Sequence, residues 1–467
     1  MNRARTAGML ALLPLLAATS VTASQPARDA ATVAAEYLAI ALQDNLALQG
    51  QGLEVGRAEA ALDAARARFY PELALQARYT RADGGRDFEV PLGTLLNPAY
   101  QTLNELLAAQ GQPPRFSPLP DQTIPFQRER EQDTRVTLRQ PLYQPAIPAA
   151  ANAQRELLRG VRAGEEVLRR RLRRDVWLGY LDWLKTLRGG EVLRATAAVL
   201  DENLRINESM FSNGRVTEDQ VLRARTEQLA VAQQLRENAA QADQARSYVN
   251  FLLNRPLATA LEDAPVPAAD LPAVSAAPRP ELAQADAQGA AAGELHRAAR
   301  AALKPSLSLG IDAGTQGKDW DLGPGYNYVS ASLVLSWKFF DGGANRAEAE
   351  RARLAARQAR LQQESLLRQI SLEQQQATDR LAAATDSIAV AEARAEAARA
   401  AQRIATRKRD AGTISQVEYL DANSALTAAE LALNVSRFEV LQRRIEMQFA
   451  AGETPGLPTN GNRESLP

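Results

Sequence analysis

Apolar positions in this chain follow two distinct periods. Over residues 326–340 they alternate. Val329, Ala331, Leu333, Leu335, Trp337 and Phe339 share one face, opposite Tyr328, Ser330, Ser332, Ser336 and Lys338, with Val334 the one exception. A period of two predicts a strand. Three more segments carry it: Leu73, Leu75, Ala77 and Tyr79; Val136, Leu138 and Leu142; and Leu307, Leu309, Ile311 and Ala313. Their opposite faces are polar or small, with Gln76, Arg78 and Thr80, then Arg135, Thr137 and Arg139, then Ser308, Gly310 and Asp312. Elsewhere the pattern is helical. No proline stands between Pro148 and Pro256 or between Pro324 and Pro455, and glycines Gly214 and Gly412 punctuate these tracts. Apolar residues recur there at sevens, as Leu431, Phe438 and Ile445, or Leu222 and Leu229. That spacing predicts long arms folded back as antiparallel coiled-coil hairpins. The arm over residues 149–213 would be on the order of 100 Å long at 1.5 Å per residue, which makes the predicted molecule elongated.

The two halves repeat each other. Asn213-Gly214-Arg215-Val216-Thr217 returns 198 positions later as Ala411-Gly412-Thr413-Ile414-Ser415, and Leu222, Leu235 and Phe251 meet Leu420, Leu433 and Phe449 at the same offset. Leu142-Tyr143-Gln144-Pro145 matches Phe339-Phe340-Asp341-Gly342, and Tyr70-Pro71-Glu72-Leu73 matches Lys304-Pro305-Ser306-Leu307. Each half reads as helix, strand, loop, strand, long helix, turn, long helix. The expected organisation is a signal peptide over 1–23, a first repeat over 24–254, a linker over 255–280, a second repeat over 281–452 and a disordered tail over 453–467. Within the first repeat, residues 82–133 read as a long Pro- and Gly-rich extracellular loop with a short helical piece at residues 100–109.

Composition narrows the class. Of 467 residues, 55 are basic and 55 acidic, so no net field invites nucleic acid. Cysteine is absent, which leaves no thiolate metal site or disulfide, and the single histidine, His296, leaves little for zinc, copper or Ser-His catalysis. No phosphate loop or nucleophile–base pair is visible, so the chain reads as a non-enzyme without cofactor or metal. Arg3 and Arg5 precede an apolar stretch from Met9 to Val21, followed by small residues up to Ala23. That is an export signal, shorter than the roughly 20 residues of a membrane helix.

Any further membrane contact therefore falls to the strands. Their length suits the roughly ten residues of a tilted membrane strand. Aromatics at their ends (Tyr70, Tyr79, Tyr143, Tyr326, Trp337, Phe340) suit interfacial girdles. Four strands cannot close a barrel, and open edges in lipid leave unpaired backbone groups at several kcal/mol each. Three subunits of four strands would make twelve. A periplasmic coiled-coil structural or adaptor protein without membrane strands is the alternative, though adaptors need β-rich domains that this chain lacks.

Signal, duplicated halves, the Trp337-Lys338-Phe339-Phe340-Asp341-Gly342-Gly343 corner, the two Gly-centred turns and Arg279-Pro280-Glu281-Leu282 together resemble the TolC-type outer membrane efflux proteins. The resemblance covers residues 30–452. It implies a mainly α protein with membrane β-structure. Duplicated helical hairpins and four transmembrane strands per subunit would close as a homotrimeric twelve-stranded barrel in outer-membrane lipid, on an α-helical periplasmic tunnel. It implies a passive exit duct in a Gram-negative outer membrane, serving an inner-membrane pump of the resistance-nodulation (RND) or ABC type through a periplasmic adaptor (membrane fusion) protein. Gly214, Arg215, Val216 and Thr217, with Gly412, Thr413, Ile414 and Ser415, would form the adaptor-contacting tip. Glu418 and Asp421 align with the family's paired acidic residues at the periplasmic aperture, while the first copy offers Asp219 and Arg223. Arg223, Arg225 and Arg409 are candidate partners for a closed aperture. Val329, Leu333, Leu335, Trp337 and Phe339 are the expected lipid-facing residues. Drug, protein and metal export are all served by this family; one His, four Met and no Cys give no positive sign of soft-metal handling. The missing amino-terminal cysteine and the long loop depart from many members.

Overall fold

The computed structural model describes residues 28–266, 273–318, 320 and 323–457. The expected signal peptide lies outside them, as does the tail from residue 458. Among the described residues, eight helices and six strands run in the order α1 (Ala30–Asp44), α2 (Leu46–Ala67), β1 (Glu72–Arg81), β2 (Asp87–Val90), α3 (Leu92–Ala109), β3 (Gln122–Pro125), β4 (Arg130–Tyr143), α4 (Ala146–Ser212), α5 (Glu218–Leu252), α6 (Pro280–Ala301), β5 (Ser306–Gly317), β6 (Asn327–Ser336), α7 (Ala344–Asp410) and α8 (Gln416–Ala451). The chain divides into two compact units, one of residues 1–49, 168–278 and 371–467, the other of 50–167 and 279–370.

The second unit holds a four-stranded antiparallel sheet, ordered β1-β4-β5-β6. Its register stacks the apolar positions on one side: Leu75 opposes Val136, Val136 opposes Ala313, and Ala313 opposes Val329. That side is open. Leu75 is 72% exposed, Val329 77% and Leu335 67%, whereas Asp133 and Thr137 on the polar side are buried. A half-buried strand in a water-soluble protein shows the reverse. β6 ends at Ser336, short of the predicted segment. Trp337 and Phe339 therefore belong to no strand. The chain turns there because Gly342 and Gly343 both adopt positive φ, and Asp341 accepts the Gly343 and Asn345 amides at the start of α7. Trp337 turns its indole N–H to the Leu303 carbonyl, 3.2 Å away, while Phe339 stays exposed.

Residues 82–133 are not a bare loop. β2 and β3 pair as a ribbon, and α3 is 18 residues long, starting well before the predicted piece. A strap over residues 112–121 is clasped to it by side chains standing in for a strand. Asn97 donates to the Leu119 carbonyl and accepts its amide, Asn104 does the same for Phe116, and Asp121 accepts from the Thr94 amide and hydroxyl. Gly93 is required at the near end, since a Cβ there would lie 2.2 Å from the Leu119 oxygen. Periodicity alone missed the helix start, because Pro98 falls inside the helix where a sequence reading expects a break. In the same unit α4 packs against α2 and α6, with Gly160 facing Ala287 and ion pairs Arg162–Glu59 and Arg159–Asp286 at 2.7 and 2.6 Å.

The first unit is helical. Its main core gathers Val33, Tyr37 and Ala41 of α1, Val176, Trp177, Tyr180, Leu181 and Leu184 of α4, Val249 of α5, and Phe438, Leu441 and Ile445 of α8. A second cluster joins Leu193 and Leu200 of α4 with Val231, Ala405, Tyr419 and Leu420, so the four arms share an interior. The heptad residues Phe438 and Ile445 are buried as expected, but Leu222 and Leu229 are exposed on the single chain. Inside the arms polar bonds alternate with the apolar contacts. Thr196 meets Thr427 at 2.9 Å, Gln416 donates to Asn203, and Arg399 grips Glu430 at 2.6 and 2.8 Å.

Residues 255–266 of the linker are anchored. The Tyr180 hydroxyl donates to the Glu262 carbonyl, the Glu262 amide donates to the Tyr37 hydroxyl, and Arg188 pairs with Asp263. Burial pushes the Tyr180 hydroxyl well above the ordinary phenol range. Residues 453–457, expected to be disordered, instead pack back on α4. Leu457 joins the main core, and Arg170 donates to the Phe449 carbonyl at 2.7 Å, its guanidinium over the Phe449 ring.

Candidate functional site

The candidate residues fall on two substructures, the turns between long helices and the faces of the sheet. Both turns close identically. Gly214 and Gly412 each stand at φ +67°, where only glycine is unstrained. Gly214 donates to the Phe211 carbonyl and Arg215 to that of Met210; Gly412 donates to Arg409 and Thr413 to Lys408. These paired bonds terminate α4 and α7 and satisfy carbonyls the helix leaves open. With nothing within 4 Å of a Cβ at either position, both turns are open to solvent.

The helices that follow start differently. Ser415 caps α8 through a reciprocal box: its hydroxyl accepts the Glu418 amide, and the Glu418 carboxylate accepts the Ser415 amide. Ser415-Gln416-Val417-Glu418 carries that S-x-x-E signal in plain sight. Thr217, at the equivalent place, makes no cap bond and turns its hydroxyl to Asp219. The acidic candidates therefore differ in freedom. Glu418 is engaged with its own helix start. Asp421, one turn on, is exposed and within the described residues has no ion-pair partner. Asp219 lies 3.9 Å from Arg223, Arg225 reaches Glu208 at 3.8 Å, and Arg409 pairs with Asp410 while covering the Tyr419 ring at 4.3 Å. None of the three arginines meets Glu418 or Asp421 within one chain.

On the sheet, Val329, Leu333 and Leu335 lie on the open apolar side, as the alternation requires. Near the turn end of β5, the Tyr79 and Trp320 rings stack with centroids 6.2 Å apart, and Tyr326 packs where Gly317 leaves room. The polar side holds a constellation that alternation alone did not single out. Asp133 has one carboxylate oxygen 3.8 Å from both Arg78 and Arg135, Arg135 donates twice to Gln76 Oε1 at 3.2 Å, and Thr137 donates to Asp312 at 2.6 Å. Cross-strand register, which the sequence does not print, brings these groups together.

No helix among the described residues is long and apolar enough to cross a membrane, and no group of acidic or histidine side chains there is arranged to hold a metal. Residues 271–453 match a family described as outer membrane efflux protein. Among solved structures the fold is similar to the outer-membrane channel OprN, with 19% identity, a TM-score of 0.74 and 90% of each chain covered. It is similar to the outer membrane protein VceC from Vibrio cholerae at 17% identity and a TM-score of 0.74, covering 90% of this chain and 96% of that one. The CmeC outer membrane channel of Campylobacter jejuni gives 16% identity and a TM-score of 0.75 over 99% and 97%. No curated protein matches the sequence. The resemblance drawn from the duplicated motifs thus stands: residues 271–453 match the outer membrane efflux protein family, and the fold is similar to that of solved outer-membrane channels over 90% or more of the chain.

Proposed function

We propose that the protein is the outer-membrane exit duct of a tripartite export system, a homotrimer whose subunits each lend four strands to one twelve-stranded barrel. The observation that carries this reading is the open sheet with its apolar side outward. Its edges at β1 and β6 are unpaired and its exposed face is Leu, Val and Ala, an arrangement stable in lipid but not in water. Closing the sheet on two more copies satisfies the edges and leaves the polar side as the wall of an aqueous lumen. Helical arms then form a periplasmic tunnel. The turns at Gly214–Thr217 and Gly412–Ser415 meet the adaptor, and substrate delivered by an RND or ABC pump passes through without covalent chemistry.

Within this reading, Asp421 and Glu418 ring the periplasmic aperture and favour cations. The Glu418→Ala, Asp421→Ala double variant should lower cation preference in planar bilayers; unchanged conductance and selectivity would sink the gate. The duct itself is tested by extraction. A detergent-requiring trimer that dissociates on heating is expected, whereas a monomer soluble without detergent would favour the periplasmic coiled-coil alternative.

A further inference from the structure

We propose that the polar wall of the sheet is an anion-preferring lining, set by Arg78 and Arg135. The inference rests on the barrel reading above, in which this side faces the lumen. In the register, Arg78 opposes Asp133, and Arg135 lies between Gln76 and Gly314. What matters is which charges project. Asp133 is only 8% exposed, wedged between the two arginines. Asp312 is tied down by the Thr137 hydroxyl. The side chains of Arg78 and Arg135, in contrast, are 68% and 40% exposed.

Arg78 stands open on β1, whereas the Arg135 guanidinium is bonded by Gln76 of β1 and Tyr328 of β6 and keeps 40% of its side chain exposed. β5 places Gly314 beside Arg135 and Gly310 beside Arg139, and β6 continues those rows with Tyr328 and Ser332. Gly314 is needed for the close approach, since a Cβ there would lie 2.7 Å from Cβ of Arg135. The remaining carboxylates stand in the outer rows. Glu72 opposes Arg139, and Glu131 accepts from Gln316 at 2.8 Å. The formal charges of the polar face nearly cancel, so position decides the sign. With a screening length of about 8 Å in physiological salt, a solute in the lumen responds to the nearest charges, which are the guanidinium groups. Three subunits present six of them on two adjacent rows. Arginine rings of this kind select anions, and their forked donors suit carboxylate and phosphate groups. The solutes favoured at this level are small organic anions.

The test uses the full-length protein in planar bilayers under a KCl gradient. The Glu418→Ala, Asp421→Ala background keeps the carboxylates of the helix turns from masking the barrel. The reversal potential should give a chloride-to-potassium permeability ratio above one. Arg78→Gln with Arg135→Gln should lower that ratio at least threefold, and the corresponding double lysine variant should retain it. Asp133→Asn should raise it, because the guanidinium groups lose their neutralising partner. Open channels with an unchanged ratio in the double glutamine variant would overturn the lining while leaving the duct intact. A parent protein that forms no channels would overturn both.

Discussion

The close of α8 offers a quantitative test of how the first unit is held. Gly452 ends that helix at φ +94°, and an alanine Cβ there would lie 2.1 Å from the carbonyl oxygen of Ala277 and 2.8 Å from its carbon. Both are backbone atoms that no rotamer change can move. The Ala277 amide donates to the Ala451 carbonyl at 2.8 Å, so relieving the clash pulls the linker off the helix end and breaks that bond. Left-handed backbone strain in a residue with a side chain contributes about 1–2 kcal/mol. The lost hydrogen bond adds about 1 kcal/mol. Gly452→Ala should therefore destabilise by about 2–3 kcal/mol. Gly214→Ala is the matched control, because its φ is +67° but nothing lies within 4 Å of the added methyl. It should lose only the strain, about 1–2 kcal/mol. Guanidinium unfolding in detergent, read from the fluorescence of buried Trp177 and Trp183, reports both variants. A gap of about 1 kcal/mol is roughly fivefold in the unfolding equilibrium. Equal losses in the two variants would refute the steric account.

Three further outcomes follow from contacts elsewhere. Ser415→Ala should cost about 1 kcal/mol in local stability at the start of α8 while Thr217→Ala costs less, measured by amide exchange at Glu418 and Gln220; equal protection losses would count against the capping box. Asn104→Ala leaves the Phe116 carbonyl and the Arg115 and Phe116 amides without their shared partner, so trypsin should cut after Arg115 at least tenfold faster than in the parent. The Thr94 amide and hydroxyl hold the Asp121 carboxyl below its ordinary value of 3.8. The stability this clasp adds is fully present above pH 3.8 and lost as pH falls through the depressed value. Protection of the Thr94 amide should drop over that range, and Asp121→Asn should abolish the drop.

Much of this architecture was legible because single residues announce it. Prolines and glycines bracket the arms, and alternation marks the strands where one side must stay apolar. The Asp341-Gly342-Gly343 corner was visible too, but not that it frees Trp337 and Phe339 from β6. What escaped was mostly cross-strand register. Nothing local tells that Asp133 will sit between Arg78 and Arg135, since those contacts depend on how β1 pairs with β4. Heptad spacing also cannot tell a seam filled within the subunit, as at Ile445, from a stripe left open, as at Leu222 and Leu229. The strap at residues 112–121 has no periodicity because asparagine side chains supply its bonds. Residues 453–457 carried the composition of a tail, yet Leu457 finds a place in the core.

The unpaired edges of the four-stranded sheet bear on how such a protein is made. On the trimeric reading proposed above, each subunit carries two adhesive borders and a greasy face through the periplasm before three copies meet. Any strand from another chain in transit can pair with them, in the wrong register as easily as the right one. In the trimer proposed above, entry into the bilayer and union with two sister chains would be coupled. The yield of trimer then depends on how many copies arrive together. Overproduction that outruns delivery should accumulate chains joined at the sheet rather than at the helices.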